Sequence, residues 1–376
     1  MNDSSLAQQG AVRASVDAKS FSAALRKVSA AAARKSIIPV LREVCVRFSN
    51  GRCILTGTDL TTWVVTEIPA DGDDFAFVFS RSRDVERACR NFDGRIVLER
   101  PEAHDPKIWI NPIILSCGAR SGEFEAYSIE DYPDMPELTG EFLFRANASA
   151  LLARINRVAY AARKPSQEHR QITSCVEFAG NQIYALDGIR AAWDIDDTLV
   201  FSRPFLVPAE QLRLLKLFGN TQVDFRLSAP HLCVTDGSTA VIFRTVDDSP
   251  YHLHDAVPAK YVEEFSVPPK KLMEELRYLS DAAPKTGKPY VYLQGNSLYM
   301  TVNDRRYSTS IDINRRSNLL LSLDLRCITD ALKQFAKEPM VRIRVSGPNT
   351  PVVIEAEGRN DHAMVLPLRL KENAVA

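Results

Sequence analysis

The stretch Val16-Asp17-Ala18-Lys19-Ser20-Phe21-Ser22-Ala23-Ala24-Leu25-Arg26-Lys27-Val28 decides how this chain is read, because its pattern occurs three times. The second copy is Ala146-Asn147-Ala148-Ser149-Ala150-Leu151-Leu152-Ala153-Arg154-Ile155-Asn156-Arg157-Val158. The third is Val267-Pro268-Pro269-Lys270-Lys271-Leu272-Met273-Glu274-Glu275-Leu276-Arg277-Tyr278-Leu279. Each copy has an extended lead-in, a polar step and a helical run with apolar residues at i, i+4 and i+7. The copies stand roughly 125 residues apart, the length of an ordinary domain. That spacing predicts three domains of one kind in series. Such a chain works through its overall shape more readily than through one catalytic pocket.

Outward from these copies, each domain carries a second helix between two strands. Phe75–Phe79 leads into a helix from Ser82 to Phe92, followed by Arg95–Leu98. Phe205–Val207 leads into Pro208–Phe218 and then Gln222–Phe225. Leu319–Leu323 leads into Asp324–Ala336 and then Val341–Val345. Pro208 suits a first-turn position and Asp324 an N-cap. Hairpins are expected for Val44–Phe48 with Cys53–Thr56, for Val176–Phe178 with Gln182–Ala185, and for Tyr290–Leu293 with Ser297–Val302. The expected class is α+β: three repeated domains of two helix-plus-sheet units each, bounded at 1–138, 139–262 and 263–376.

Composition narrows the function classes. With 45% hydrophobic and 25% charged residues the chain has enough apolar material for several cores. Lys plus Arg and Asp plus Glu both number 47, so net charge alone gives no hint of a nucleic-acid partner. The polar start Met1-Asn2-Asp3-Ser4-Ser5 lacks the apolar core of a secretory signal, and no run reaches the length of a membrane span. The seven cysteines show no C-x-x-C pair and read as reduced core thiols of a cytoplasmic protein.

The helices share a charge pattern. At about 100° per residue, Arg26 and Lys27 turn away from the first apolar stripe. Arg83, Arg87 and Arg90 lie opposite Val85, Cys89 and Phe92 in the second helix. Arg157, then Arg213 and Lys216, then Lys270 and Arg277 beside Glu274, then Lys333 take similar places further on. A basic solvated face is ordinary for one helix; in six helices of a neutral chain it points to a surface for phosphates. Such contacts give affinity without reading base sequence.

Several short motifs then resemble those of the bacterial DNA polymerase III beta sliding clamp. They are Ile38-Pro39-Val40-Leu41, Leu55-Thr56-Gly57-Thr58-Asp59-Leu60, Tyr132-Pro133-Asp134-Met135-Pro136, Asp187-Gly188-Ile189-Arg190 and Met364-Val365-Leu366-Pro367-Leu368-Arg369-Leu370. The resemblance runs from Val12 to Leu370. It implies three clamp domains forming half of a ring, closed as a head-to-tail homodimer around double-stranded DNA, with helices lining the hole. It implies DNA polymerase and clamp-loader subunits as partners, bound through short peptides. It places the peptide pocket at Thr173, Leu186, Gly188, Arg190, Pro250, Thr350, Met364, Val365, Leu366, Pro367 and Leu368, and adds Lys35, Gln167 and Gln171 as DNA contacts. The chain departs from the family's pattern where Leu186, Ile189 and Ala191 replace the usual Thr, His and Leu. It departs again at Ala209-Glu210, which stand where Arg-Lys is common, and at the polar Ser280 and Asp281. Lys371–Ala376 extend past the usual end.

The rival classes are weaker. Lys285-Thr286-Gly287 lacks the Ser-x-x-Lys that would accompany it in a serine enzyme. His252 and His254 with Cys233 make a poorly spaced metal set. No phosphate-cradling loop, nucleophile elbow or His-Glu-x-x-His is present. No cofactor or catalytic residue is expected. The remaining alternative is a protein-interaction scaffold of the same fold without DNA in its hole.

Overall fold

The computed structural model describes residues 11–33, 35–102, 110–137, 140–165, 170–249, 251–283, 289–302, 305–313, 315 and 317–368. The helices among them are α1 (Ala18–Val28), α2 (Ser82–Cys89), α3 (Ala148–Ala159), α4 (Ala209–Leu212), α5 (Leu253–Ala256), α6 (Pro269–Ala282) and α7 (Leu325–Gln334). The strand–helix unit recurs at all six places marked by the sequence: Val12–Asp17 with α1, Phe75–Phe79 with α2, Glu141–Asn147 with α3, Phe201–Pro208 with α4, Glu263–Val267 with α6 and Leu321–Asp324 with α7. Strands pair antiparallel throughout the described sheets, and the fold is mixed α+β.

The repeated polar step is a helix cap. Asp17 Oδ1 accepts from the Ser20 backbone N–H at 2.8 Å, and Asn147 Oδ1 accepts from Ala150 N–H at 3.0 Å. Both bonds satisfy an amide left without a partner in the first turn. The third copy uses Pro269 at the start of α6, where a missing N–H costs nothing. Asp324 caps α7 as expected, accepting from the Arg326 and Cys327 amides. One helix differs. Pro208 ends a strand, and the α-helical turn Ala209–Leu212 passes into a 3₁₀ helix, Arg213–Phe218. Its adjoining Leu214 and Leu215 are both buried, a pairing better served by tighter winding than by the 3.6-residue repeat.

The chain divides into two compact units. The first joins Met1–Ala150 to Arg213–Thr245 and holds a twelve-stranded sheet. Strand Thr62–Gly72 is its hub. It pairs with Arg52–Thr58, closes back on Val12–Asp17 (Ala14 opposite Gly72), and takes Thr239–Arg244 beside its first half (Thr239 opposite Thr66). Phe21, Leu25 and Val28 of α1 are fully buried. Gly57 explains how closely α1 lies on the sheet: a Cβ there would stand 2.1 Å from the Val28 carbonyl oxygen, so only glycine fits.

The second unit joins Leu151–Leu212 to Val246–Ala376. Its eight-stranded sheet runs Phe201–Pro208, Cys175–Gly180, Gln182–Leu186, Arg190–Ile195, Asp361–Val365, Val352–Glu355, Val341–Val345, Glu263–Val267. A four-stranded sheet runs Arg305–Ser310, Ser297–Val302, Tyr290–Gln294, Leu321–Asp324. The expected hairpins are present, with Val46 opposite Leu55, Val176 opposite Ala185 and Tyr292 opposite Tyr299. Leu272, Leu276 and Leu279 of α6 and Ile328 and Leu332 of α7 share a core with Val341, Ile343 and Val365. All seven cysteines are free and six are buried; burial pushes the Cys45, Cys89, Cys175 and Cys327 thiols up to about 12. No described helix is long and apolar enough to cross a membrane.

Candidate peptide pocket and nucleic-acid interface

The expected pocket residues converge on one end of the eight-stranded sheet. Gln182–Leu186 and Arg190–Ile195 are joined by a tight turn in which Gly188 adopts φ +89°. That conformation is costly for residues with a Cβ. Asp187 Oδ1 accepts from the Ile189 and Arg190 amides, both at 3.0 Å. Arg190 is locked in place. Its Nε donates to Asp187 at 3.1 Å, its Nη1 to Asp330 at 3.0 Å, and its guanidinium lies 5.6 Å from the Tyr160 ring centre. Burial alone would raise the Asp330 carboxyl, but hydrogen bonds from Lys333 and Arg190 bring it below its usual value.

Strand alternation then sorts the last strand. Met364 stands opposite Ala191 on one side and Val353 on the other, and these three cluster with Leu186, Tyr184, Trp193 and Leu253. Val365 points to the opposite face, into the core of the unit. The segment after it stays docked, with Leu366 N–H donating to the Ile189 carbonyl and Leu368 N–H to Ser322, both at 2.8 Å. Pro367 lies between them, half-buried. Thr173 reaches the turn through Arg163, whose amide donates to the Thr173 carbonyl at 2.7 Å and whose guanidinium donates to the Asp187 carbonyl at 2.6 Å. Thr350 stands in the loop ahead of Val352–Glu355, its hydroxyl bonded to the Gly347 carbonyl. Pro250 lies outside the described residues. Beside the turn opens a cleft of about 560 Å³, lined among others by Tyr160, Arg163, Lys164, Asp187, Arg190 and Glu210.

So Leu186 and Met364 share an apolar cluster, whereas Arg190, the cross-strand partner of Val365, lies on the other face of the sheet with Tyr160 and Asp330, and Val365 serves the core there. Sequence reading missed Tyr184, Trp193, Val353 and Leu253. Tyr184 and Trp193 were readable from period-two alternation with Leu186 and Ala191, whereas Val353 meets Met364 only across a strand pair. Leu253 carried no signal, since α5 is too short for a helical period.

The cations split into two groups. Arg83, Arg213, Lys216 and Lys35 are exposed, with no ion pair among the described residues. Gln171 is also exposed, and Gln167 lies outside the described residues. The others are engaged. Arg87 pairs with Asp84, Arg90 makes two hydrogen bonds to Glu86 at 2.8 and 2.7 Å, and Lys333 pairs with Asp330 at 2.9 Å. Arg157 is not a free outward cation. It bonds Asp194 at 3.1 Å and lies 3.9 Å from Asp361, both carboxylates almost fully buried. The partners of Arg87, Arg90 and Lys333 were readable at i−3 and i−4, whereas those of Arg157 come from distant strands. Lys285–Gly287 lie outside the described residues. The His254 ring contacts Gln182 at 3.1 Å, and among the described residues no group of three His, Cys, Asp or Glu is placed to hold a metal.

No protein-family model matches the chain, and no curated protein matches its sequence. Solved structures do. The DNA polymerase III beta subunit of Pseudomonas aeruginosa is 18% identical with a TM-score of 0.82, covering 95% of this chain and all of that one. The sliding clamp of Caulobacter crescentus is 14% identical at 0.82, and that of Bacillus subtilis 15% at 0.79, each covering 96% of this chain and 100% of its own. The chain therefore has, along nearly its whole length, the fold of the bacterial DNA polymerase III beta sliding clamps.

Proposed function

We propose that this chain is a DNA sliding clamp. Two copies of its three domains close head to tail into a ring around double-stranded DNA and hold a replicative polymerase there in the cytoplasm. The observation that carries this reading is the match over the full length of the solved clamps. A processivity ring holds DNA by topology, and weak, screened phosphate contacts suit it because they do not arrest sliding.

Two sheet edges support closure. Strand Arg120–Tyr127 pairs with Ile110–Cys117, but beyond Ala126 and Tyr127 its other side has no strand partner among the described residues. Strand Arg305–Ser310 pairs only with Ser297–Val302 among them. The first edge carries Glu123 and Glu125, the second Arg305 and Arg306. An open edge invites another chain, and opposite charges across it set the partner and direction. A head-to-tail contact gives a ring when its rotation closes.

The test is retention. Chains bound to nicked circular DNA are challenged with about 1 M salt, which screens phosphate contacts beyond roughly 3 Å. A closed ring stays on the circle and leaves once the circle is cut. Equal loss from circular and linear DNA by a chain that is dimeric in sedimentation would leave the scaffold reading in its place. The partner pocket has its own test. Met364→Asp puts a charge into the cluster with Leu186 and Leu253, and is expected to weaken a fluorescein-labelled peptide with adjacent Leu and Phe anchors at least about tenfold. Unchanged affinity would place the peptide elsewhere.

A further inference from the structure

One buried group beneath the apolar cluster's cover has no partner. Glu177, on strand Cys175–Gly180, is 3% exposed, and neither of its carboxylate oxygens has a hydrogen-bond partner. Its cross-strand neighbours are Tyr184 and Leu206. The Tyr184 hydroxyl donates instead to the Tyr251 carbonyl at 2.9 Å. The titratable groups near Glu177 are Tyr184 on the adjacent strand, His252 on the covering segment and Cys175 on its own strand. Burial, the largest influence, pushes the Glu177 carboxyl above its usual value of 4.5; the nearby Tyr184 hydroxyl, the Tyr251 N–H and His252 draw it part of the way back, although neither donor meets hydrogen-bond geometry and the Tyr184 hydroxyl is committed to the Tyr251 carbonyl.

The covering segment is held from outside. Helix α5 has four residues and no side-chain cap at His252. A helix that short does not persist without tertiary support. The support is the burial of Leu253 (3% exposed) among Leu186, Ala191 and Met364, the Tyr184–Tyr251 bond and the Gln182–His254 contact. Few contacts and a short helix mark a segment that opens locally at low cost.

We propose that Tyr251–Ala256 is a lid over the apolar cluster, with the buried Glu177 carboxyl as its pH-sensitive latch. The lid closes over the neutral acid and opens when the acid ionises, because a covered carboxylate without a partner is costly and opening hydrates it. The sign follows. The closed state holds the proton more tightly than the open one, so closure is at full strength below the open-state value near 4.5 and weakens as pH rises through the closed-state value. One proton changes the open-to-closed ratio by at most about tenfold per pH unit. The proposal rests on the peptide-pocket reading, since the lid covers the cluster that would receive the peptide's anchors.

Hydrogen exchange tests the latch on the intact chain without peptide. The amides of Leu253 and Asp255, bonded to Tyr251 and His252 carbonyls, are followed between about pH 5 and pH 8 after correction for intrinsic exchange. Their protection is expected to fall with rising pH, and to stay flat in Glu177→Gln, while strand Val341–Val345 is unchanged in both. Flat protection in the wild type, or the wild-type slope in a folded Glu177→Gln, overturns the latch. The labelled Leu-Phe peptide supplies the second arm, with affinity expected to rise with pH in the wild type only. A pH-dependent lid with no peptide binding keeps the latch and removes the peptide reading. Binding with a flat lid keeps the pocket and removes the latch.

Discussion

Arg315→Leu is expected to destabilise the chain by about 3–5 kcal/mol, the usual cost of breaking a buried ion pair on one side only. The Arg315 side chain is completely buried and that of Glu263 nearly so. Its guanidinium holds both Glu263 oxygens, at 2.8 and 3.0 Å, and donates to the Leu319 carbonyl at 2.6 Å. Longer bonds at 3.4 Å reach the Leu293 and Gly295 carbonyls at the turn of a hairpin. One residue thus ties the four-stranded sheet and the loop before Leu321–Asp324 to strand Glu263–Val267 of the neighbouring sheet. Leucine leaves the Glu263 carboxylate buried without a partner, along with three carbonyls. The double variant Arg315→Leu with Glu263→Leu removes the stranded charge and should recover much of the loss. Denaturant unfolding of the three variants checks this. A single variant within about 1 kcal/mol of wild type would mean that water reaches Glu263.

The second large effect is on DNA. Arg83→Glu with Arg213→Glu and Lys216→Glu should sharply shorten retention of the proposed ring on DNA at low salt. Two copies of the chain would lose up to six phosphate contacts, so the log–log salt slope should fall by about five. Arg87→Gln with Arg90→Gln should do little by comparison, because Asp84 and Glu86 already neutralise those two cations. The contrast compares cations that are free with cations already held by a carboxylate. Equal losses in both sets, with the dimer intact by sedimentation, would sink the assignment of the free cations.

Much of the architecture was legible because it repeats. Phe21, Leu25 and Val28, with their counterparts around Leu151 and Leu272, marked three helices, and the polar residues ahead of the first two are caps. Hairpins were legible because a two-residue turn such as Gly295-Asn296, with Gly295 at φ +53°, sets its own register. The helix after Pro208 was half legible, since adjoining buried leucines replaced helical periodicity with a tighter winding.

The sequence by itself determined the local elements and their order. Apolar periodicity, caps and turns act between residues a few positions apart, so these features are written in consecutive letters. Through its resemblance to the clamps it also proposed Leu186, Gly188, Arg190 and Met364 for one site, and of these the structure gathers Leu186 and Met364 into one cluster. Tertiary structure alone decided which charges are spent and which are free. Arg157 meets Asp194 and Asp361 only because strands Arg190–Ile195 and Asp361–Val365 lie side by side. It alone placed Leu253 on the apolar cluster and left Glu177 buried without a partner. Those pairings are set by sheet order, and sheet order is a long-range choice that no local pattern along the chain records.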